Sequence, residues 1–146
     1  MKTNREILIV DDNPADIDLA CEALSQGSPP THVSSVEDGV EAVAFLNRDG
    51  KYASARRPDL IVLDLNLPRK DGRTVLVEVK SDPNLRRTPI VVFSTSRAPH
   101  DIAGSFELGA NSYVSKPGDL EGFLAAITSI ERFWFHCARL PHEEEL

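Results

Sequence analysis

Cysteine and long apolar runs are scarce in this sequence of 146 residues, and cationic residues are outnumbered by acidic ones. The two cysteines, Cys21 and Cys137, provide neither a metal-binding spacing nor a disulfide framework, which favours the reducing cytoplasm. Lys and Arg number 16 against 23 Asp and Glu, and the formal net charge of -7 argues against a nucleic-acid partner. No run approaches the length of a membrane span, and the acidic pair at 11 and 12 comes too early for a signal peptide. We therefore expect a cytoplasmic protein with no nucleic-acid and no membrane partner.

The length and composition indicate one globular domain. A chain of 146 residues builds one self-sufficient core and is too short for a second sizeable module. Its content of 41% hydrophobic and 27% charged residues is ordinary for such a domain. We expect a single domain over 1–146, with a core over about 6–130 and a C-terminal helix extension and acidic tail over about 131–146.

Short apolar runs alternate with segments of helical periodicity. The runs are nearly continuous, which is typical of parallel strands that are buried on both faces. The predicted strands are Ile7–Val10, Leu60–Leu63, Ile90–Phe93 and Tyr113–Val114, with a weaker one at His32–Val36. The predicted helices are Pro14–Leu24, Gly39–Leu46, Arg73–Lys80, Asp101–Leu108 and a last helix from Leu120. This alternation predicts a doubly wound α/β fold.

The last helix carries an apolar stripe that continues into three consecutive aromatic residues, Phe133, Trp134 and Phe135. Consecutive residues on a helix point in different directions, so the three rings cannot all pack on the sheet. Simple burial against the sheet remains the alternative for part of this stripe. The surplus aromatics favour a protein interface.

Polar and charged residues stand where the predicted strands end. In an open parallel sheet the carboxyl ends of the strands share one edge, and ligands bind there. The residues at this edge are Asp11, Asp12, Asp64, Ser94, Thr95 and Lys116. Carboxylates that converge repel one another, and Mg²⁺ or Mn²⁺ relieves that repulsion through oxygen ligands.

The same edge offers what phosphoryl transfer requires, namely positioning and neutralisation of oxygen charge. Lys116 supplies a positive charge and Ser94 a hydroxyl donor, which leaves Asp64 as the nucleophile that forms an aspartyl phosphate. Each residue also has a structural explanation: Asp11 to Pro14 reads alone as a helix N-cap sequence, and the others read as turn or cap residues. Their joint placement favours the functional interpretation.

Four segments in order make the chain similar to the receiver domain of two-component response regulators. They are ILIVDDN, LIVLDLNLPRKDG, VVFSTS and GANSYVSKP, and the resemblance extends from about Glu6 to Ile130. It implies a flavodoxin-like, doubly wound, five-stranded parallel sheet of order 2-1-3-4-5 with helices on both faces. It also implies a phosphoacceptor switch rather than a turnover enzyme, with at most slow autodephosphorylation.

The resemblance implies a role for each site residue. Asp64 would accept a phosphoryl group from the phosphohistidine of a sensor histidine kinase. Asp12 and Asp64 would ligate Mg²⁺ directly, together with the backbone carbonyl of Asn66, and Asp11 would act through a coordinated water.

Three further residues would complete the switch. Ser94 and Lys116 would hold the phosphoryl oxygens, and Tyr113 matches the aromatic residue that swings inward in the active state. Thr95 stands where such domains usually carry a smaller residue, so it is expected to alter access to Asp64 and the lifetime of the phosphate.

Within this family the chain is similar to the single-domain regulators paired with cyanobacterial phytochrome kinases. The similarity rests on LDLNLPRKDG, on STS after the fourth strand and on the ending SIERFWFHCARLP. It implies a phytochrome-type sensor histidine kinase as phosphodonor and a homodimer built partly on the last helix.

Two other functions remain open at this point. A haloacid-dehalogenase-type phosphatase also uses a strand-end aspartate and Mg²⁺, but it needs a second carboxylate two positions on, where this chain has Asn66. A degenerate receiver that serves only as a constitutive dimeric scaffold is the other alternative, against which the complete set of Asp64, Ser94 and Lys116 argues.

Overall fold

The computed structural model describes residues 5–27 and 30–141. Its strands are β1 (Arg5–Val10), β2 (Thr31–Val36), β3 (Leu60–Leu63), β4 (Ile90–Ser94) and β5 (Ser112–Ser115). Its α-helices are α1 (Pro14–Leu24), α2 (Gly39–Asn47), α3 (Gly72–Ser81), α4 (Pro99–Glu107) and α5 (Leu120–Arg132). A 3-10 turn at Gly50–Tyr52 and a π-helical turn at Phe133–Cys137 complete these elements. None of the helices in the described ranges is long and apolar enough to cross a membrane.

The five strands form one parallel sheet in the order β2-β1-β3-β4-β5, which confirms the predicted fold class and strand order. Helices cover both faces, and successive residues of a strand enter different cores. Leu8 and Val10 pack with residues of α2 and α3, whereas Ile7 and Ile9 pack with residues of α1 and α5. This double burial explains why the strand sequences are nearly continuously apolar.

Side-chain caps fix the starts of four of the helices. Asn13 accepts hydrogen bonds from the backbone N–H groups of Ala15 and Asp16, and Pro14 occupies the first turn of α1. The residues Asp38, Asp71 and Asp119 cap α2, α3 and α5 in the same manner. Because each cap directly follows a strand or a strand-end loop, it fixes where the backbone leaves the carboxyl edge of the sheet.

The last helix differs from its predicted form. Regular α-helix ends at Arg132, and the aromatic residues lie in the π-helical turn that follows. Phe133 is 53% exposed, whereas Trp134 and Phe135 are half-buried and pack against the core between the sheet and α1 and α5. The end of the predicted acidic tail, residues 142–146, lies outside the described residues.

Candidate functional site

Strand register brings the predicted site residues to one edge of the sheet. Asp64 directly follows β3, and its N–H donates to the carbonyl of Val10 on β1 at 2.9 Å, next to Asp11. Lys116 directly follows β5, and its N–H donates to the carbonyl of Ser94 at 2.7 Å. The ends of β1, β3, β4 and β5 therefore bring these residues to neighbouring positions.

Asp11, Asp12 and Asp64 form an acidic cluster at this edge. One carboxylate oxygen from each lies within 4.8 Å of the others. Asp11 is buried and Asp12 is exposed, so the cluster extends from the sheet to solvent. Hard carboxylate oxygens with access to water suit Mg²⁺ and Mn²⁺, which retain several water ligands. The donor set therefore fits a divalent cation.

Lys116 is the cation of the site, and it is buried. Its Nζ donates to Asp11 at 2.7 Å, to Asp16 at 3.0 Å and to Asp64 at 3.1 Å. The ammonium also lies 5.8 Å from the ring centroid of Phe93. One buried ammonium thus uses all three of its donors on carboxylates that come from three different segments.

The charges of the site perturb one another strongly. Burial by itself lowers the pKa of Lys116, but hydrogen bonds to Asp11 and Asp16 and the charge of Asp64 outweigh burial and raise that pKa. Lys116 is therefore a permanent cation at physiological pH. Burial raises the pKa of Asp11, and the hydrogen bonds from Lys116 and from the N–H of Asn13 offset this rise only partly.

Asp16 is a site residue that the sequence analysis did not find. It lies in the first turn of α1, where an acidic residue is ordinarily explained by the helix dipole. Its side chain nevertheless reaches Lys116, which is 100 positions away in the sequence. The only sequence signal is that Asp16 lies four positions after Asp12, in the first turn of the helix that follows the acidic pair.

A close backbone contact anchors the loop behind Asp64. The N–H of Gly72 donates to the carbonyl of Leu65 at 2.8 Å. A Cβ atom at Gly72 would lie 2.2 Å from the carbonyl oxygen of Asp64 and 2.7 Å from the Cα of Leu65. Glycine is therefore required where α3 begins, because α3 starts directly against the backbone of the candidate phosphoacceptor.

The other predicted site residues lie around this cluster. Ser94 is fully buried at the end of β4, while Thr95 and Asn66 have exposed positions. Tyr113 is half-buried, and its hydroxyl donates to the backbone carbonyl of Ser96 at 2.8 Å. Tyr113 is thus turned toward the loop that follows Ser94.

The aromatic residues of the last turn lie away from this site. The guanidinium of Arg5, at the start of β1, lies 5.7 Å from the ring centroid of Phe135 and 3.4 Å from His136. The N-terminal ends of the parallel strands form the edge of the sheet that lies opposite the acidic cluster. The structure therefore separates the predicted interface residues Phe133, Trp134 and Phe135 from the predicted phosphorylation site.

A parallel sheet of order 2-1-3-4-5, with an acidic cluster and a buried lysine at its carboxyl edge, defines the class of response regulator receivers. Residues 7–128 match the family model described as "Response regulator receiver domain". The chain belongs to this family.

Individual relatives are similar over nearly the whole chain. Response regulator Rcp1 of Synechocystis sp. is 42% identical over 135 residues, which are 92% of each chain. The structure of the phosphorylated cyanobacterial phytochrome response regulator RcpA is 49% identical, with a TM-score of 0.93, over 96% of this chain and all of that one. The Mn²⁺-bound form of Rcp1 is 41% identical, with a TM-score of 0.90, over 94% of this chain and 99% of that one.

Proposed function

We propose that this chain relays a signal from a phytochrome-type sensor histidine kinase by accepting a phosphoryl group on Asp64 in a reaction that depends on Mg²⁺. The observation that carries the proposal is the triple contact of Lys116 with Asp11, Asp16 and Asp64. A buried ammonium that already touches the acceptor carboxylate can meet a phosphoryl oxygen there without a large movement.

The transfer can be written as a balanced step. A carboxylate oxygen of Asp64 attacks the phosphorus of a phosphohistidine, a P–O bond forms and the P–N bond breaks. The electron pair of that bond returns to the imidazole, which then takes up a proton from solvent. The backbone of Asp64 is held in place because its N–H donates to the carbonyl of Val10, and its carboxylate is contacted by Lys116.

The acidic cluster would hold the metal ion. Asp12 and Asp64 would be direct ligands, with the backbone carbonyl of Asn66 as a third and Asp11 acting through water. Bound Mg²⁺ supplies positive charge that reduces the repulsion between these carboxylates and the incoming phosphoryl oxygens. Support comes from the fit of the carboxylate oxygens and from the Mn²⁺-bound structure of a relative.

Phosphorylation would change the contacts of three neighbouring residues. It replaces the single negative charge of the Asp64 carboxylate with the nearly two negative charges of an acyl phosphate. Lys116 would then exchange a carboxylate for a phosphoryl oxygen, and the buried hydroxyl of Ser94 would donate to another. Tyr113 would report the change through the loop it contacts. Thr95, which is exposed beside Ser94, would govern the access of water to the phosphate.

The proposed phosphodonor follows from the relatives. Two similar structures are those of a cyanobacterial phytochrome response regulator and of a bacteriophytochrome response regulator. The similarity to these two structures covers 96% and 97% of this chain. A cytoplasmic location agrees with a kinase partner of this type.

Intact-mass analysis tests the acceptor residue. With Mg²⁺ and acetyl phosphate, we expect the wild type to gain the mass of one phosphoryl group and Asp64→Asn to gain none. Asp59→Asn, which changes an aspartate at the opposite end of β3, is the matched control and should label like the wild type. Equal labelling of Asp64→Asn and wild type would show that another residue is the acceptor.

The kinase partner is tested separately by phosphotransfer. Purified histidine kinases of the host, each labelled on its histidine, would be mixed briefly with the chain. We expect the fastest transfer from a phytochrome-type kinase. Faster transfer from a kinase of another class would contradict the partner while leaving Asp64 as acceptor. Continuous release of phosphate from small phosphomonoesters would instead support the phosphatase alternative, which Asn66 argues against.

A second proposal concerns self-association, because Phe133 exposes half of its surface at the end of α5. We propose that Phe133, with the half-buried Trp134 and Phe135 beside it, forms part of a homodimer interface. Sedimentation velocity at micromolar concentration should show a dimer in the wild type that weakens in Phe133→Ser. Val77→Ser removes a comparably exposed apolar side chain from α3 and should leave the dimer intact. Identical sedimentation of all three proteins would contradict the proposed interface.

A further inference from the structure

Ser96 is the point where several groups of the candidate switch meet. Its N–H donates to the Oγ of Ser94 at 3.3 Å, and its carbonyl accepts from the hydroxyl of Tyr113 at 2.8 Å. Its own hydroxyl donates to the carboxylate of Asp101 on α4 at 2.6 Å. Ser96 therefore joins the buried hydroxyl and the switch tyrosine to the first turn of α4.

Asp101 in turn joins α4 to α3. Its other carboxylate oxygen accepts from the guanidinium of Arg73 at 2.8 Å. Arg73 also contacts Asp71, the N-cap residue of α3, at 3.2 Å. The hydrogen bond from Ser96 and the contact with Arg73 lower the pKa of Asp101, which is therefore ionised at neutral pH.

The α3 end of this connection is firmly placed. Arg73 follows Gly72, whose position is fixed by close contact with the backbone of Asp64 and Leu65. A continuous set of contacts thus runs from the backbone of Asp64 through Arg73 and Asp101 to Ser96. The side chain of Asp101 is mostly buried and that of Arg73 is partly exposed, so the ion pair is only partly screened by solvent.

The contacts of Ser96 differ in strength. The bonds of Asp101 to Ser96 and to Arg73 are short and involve an ionised group, which makes them the stronger ones. The bond from the N–H of Ser96 to Ser94 is longer than most N–H···O bonds and joins neutral groups. If Ser94 turned to a phosphoryl oxygen, the weaker bond to Ser96 would be the first to break, and the stronger bonds of Asp101 would keep the loop in place.

We propose that Arg73, Asp101 and Ser96 form a clasp between α3 and α4 that holds the β4–α4 loop, and through it positions Ser94 and Tyr113 for the response to phosphorylation. The proposal rests on the proposed function for what the clasp serves. The three clasp residues are positioning residues, because they act through Ser94 and Tyr113 and not on the reacting atoms.

Three variants break the clasp: Arg73→Gln, Asp101→Asn and the double variant. The chain has two tyrosines, so incorporation of 3-fluorotyrosine gives two ¹⁹F resonances, and Tyr52→Phe identifies that of Tyr113. We expect each variant to shift the Tyr113 resonance in the unliganded protein. Affinity for beryllofluoride with Mg²⁺, measured by calorimetry, should fall by about threefold, as expected for one partly exposed ion pair.

The double variant and a matched control separate positioning from general stability. Both single changes break the contact between Arg73 and Asp101, so the loss of affinity in the double variant should be smaller than the sum of the two single losses. Glu78→Gln removes the partner of Lys70 elsewhere on α3 and should leave the Tyr113 resonance and the affinity unchanged. An unshifted Tyr113 resonance in the clasp variants, affinity at or above that of the wild type, or additive losses would overturn the proposal. If the wild type did not bind beryllofluoride, the proposed function would fail, and the Tyr113 resonance would still decide whether the clasp holds the loop.

Discussion

Replacement of Lys116 by methionine would remove the buried cation of the site while keeping a side chain of similar reach. Lys116 is the shared donor to Asp11, Asp16 and Asp64. Without it, three carboxylates would face one another with no ammonium between them. We expect Lys116→Met to lower the free energy of unfolding in the absence of divalent ions and to abolish labelling by acetyl phosphate.

The loss in the free energy of unfolding is limited, because a carboxylate left without Lys116 can take up a proton instead. Near pH 7, protonation of an aspartate with an ordinary pKa of 3.8 costs about 4 kcal/mol, because each pH unit above the pKa costs about 1.4 kcal/mol. Removing one partner from a buried ion pair typically costs about 3–5 kcal/mol. The free energy of unfolding should therefore fall by about 3–4 kcal/mol near neutral pH.

The loss should depend on pH with a definite sign. Burial already raises the pKa of Asp11, and removal of Lys116, which opposes this rise, would raise the pKa further. A carboxyl whose pKa is higher in the folded than in the unfolded state favours folding at low pH, and this contribution is lost as pH rises through the folded-state pKa. The difference between Lys116→Met and wild type should therefore be largest near neutral pH and should shrink as the pH is lowered.

Urea denaturation of both proteins in EDTA, at several pH values and again with Mg²⁺, measures these effects. A divalent ion replaces the missing positive charge and binds only the folded site, so Mg²⁺ should stabilise the variant more than the wild type. Equal free energies of unfolding in EDTA near neutral pH would refute the reasoning. A difference that did not shrink at low pH would show that the loss comes from packing and not from charge.

Two further predictions follow from the contacts around Asp64. Gly72→Ala should lower the free energy of unfolding, measured in urea, by about 1–3 kcal/mol, because the new Cβ would meet backbone atoms that cannot move aside. An unchanged midpoint of urea unfolding would contradict the close contact. Asp16→Asn should increase the rate of labelling by acetyl phosphate by about threefold, because it removes a negative charge beside the incoming phosphoryl group and frees a donor of Lys116. A slower time course in intact-mass analysis would show instead that Asp16 orients Lys116.

The sequence segment from Asp11 to Pro14 shows that a structural and a functional explanation can both apply to neighbouring residues. Asn13 is the N-cap of α1 and Pro14 begins the helix, as a simple cap sequence requires. Asp11 and Asp12 nevertheless belong to the acidic cluster. The cap fixes the direction in which the chain leaves β1, and so it also places the two carboxylates.

Other features of the site could not be read from the sequence. The segment STS at 94–96 predicts roles for Ser94 and Thr95, which stay predictions, and the structure adds Ser96, which connects to α4 and to Tyr113. The aromatic residues at 133–135 were expected on a continuing α-helix, and a π-helical turn redistributes them so that Phe133 is the exposed one. In both cases neighbouring residues of similar type have different roles. The difference comes from the other helices and strands that contact them in the folded protein.

The amino-acid sequence by itself determined the order of strands and helices, because apolar runs buried on both faces and side-chain caps are local signals. It also determined which residues stand at the strand ends, and therefore the acidic cluster with Asp64 as candidate acceptor. Only the tertiary structure decided which carboxylates share Lys116 and which residue joins α3 to the loop after β4. Those contacts join residues as far as 105 positions apart, so they depend on strand register and helix placement, which no local pattern encodes.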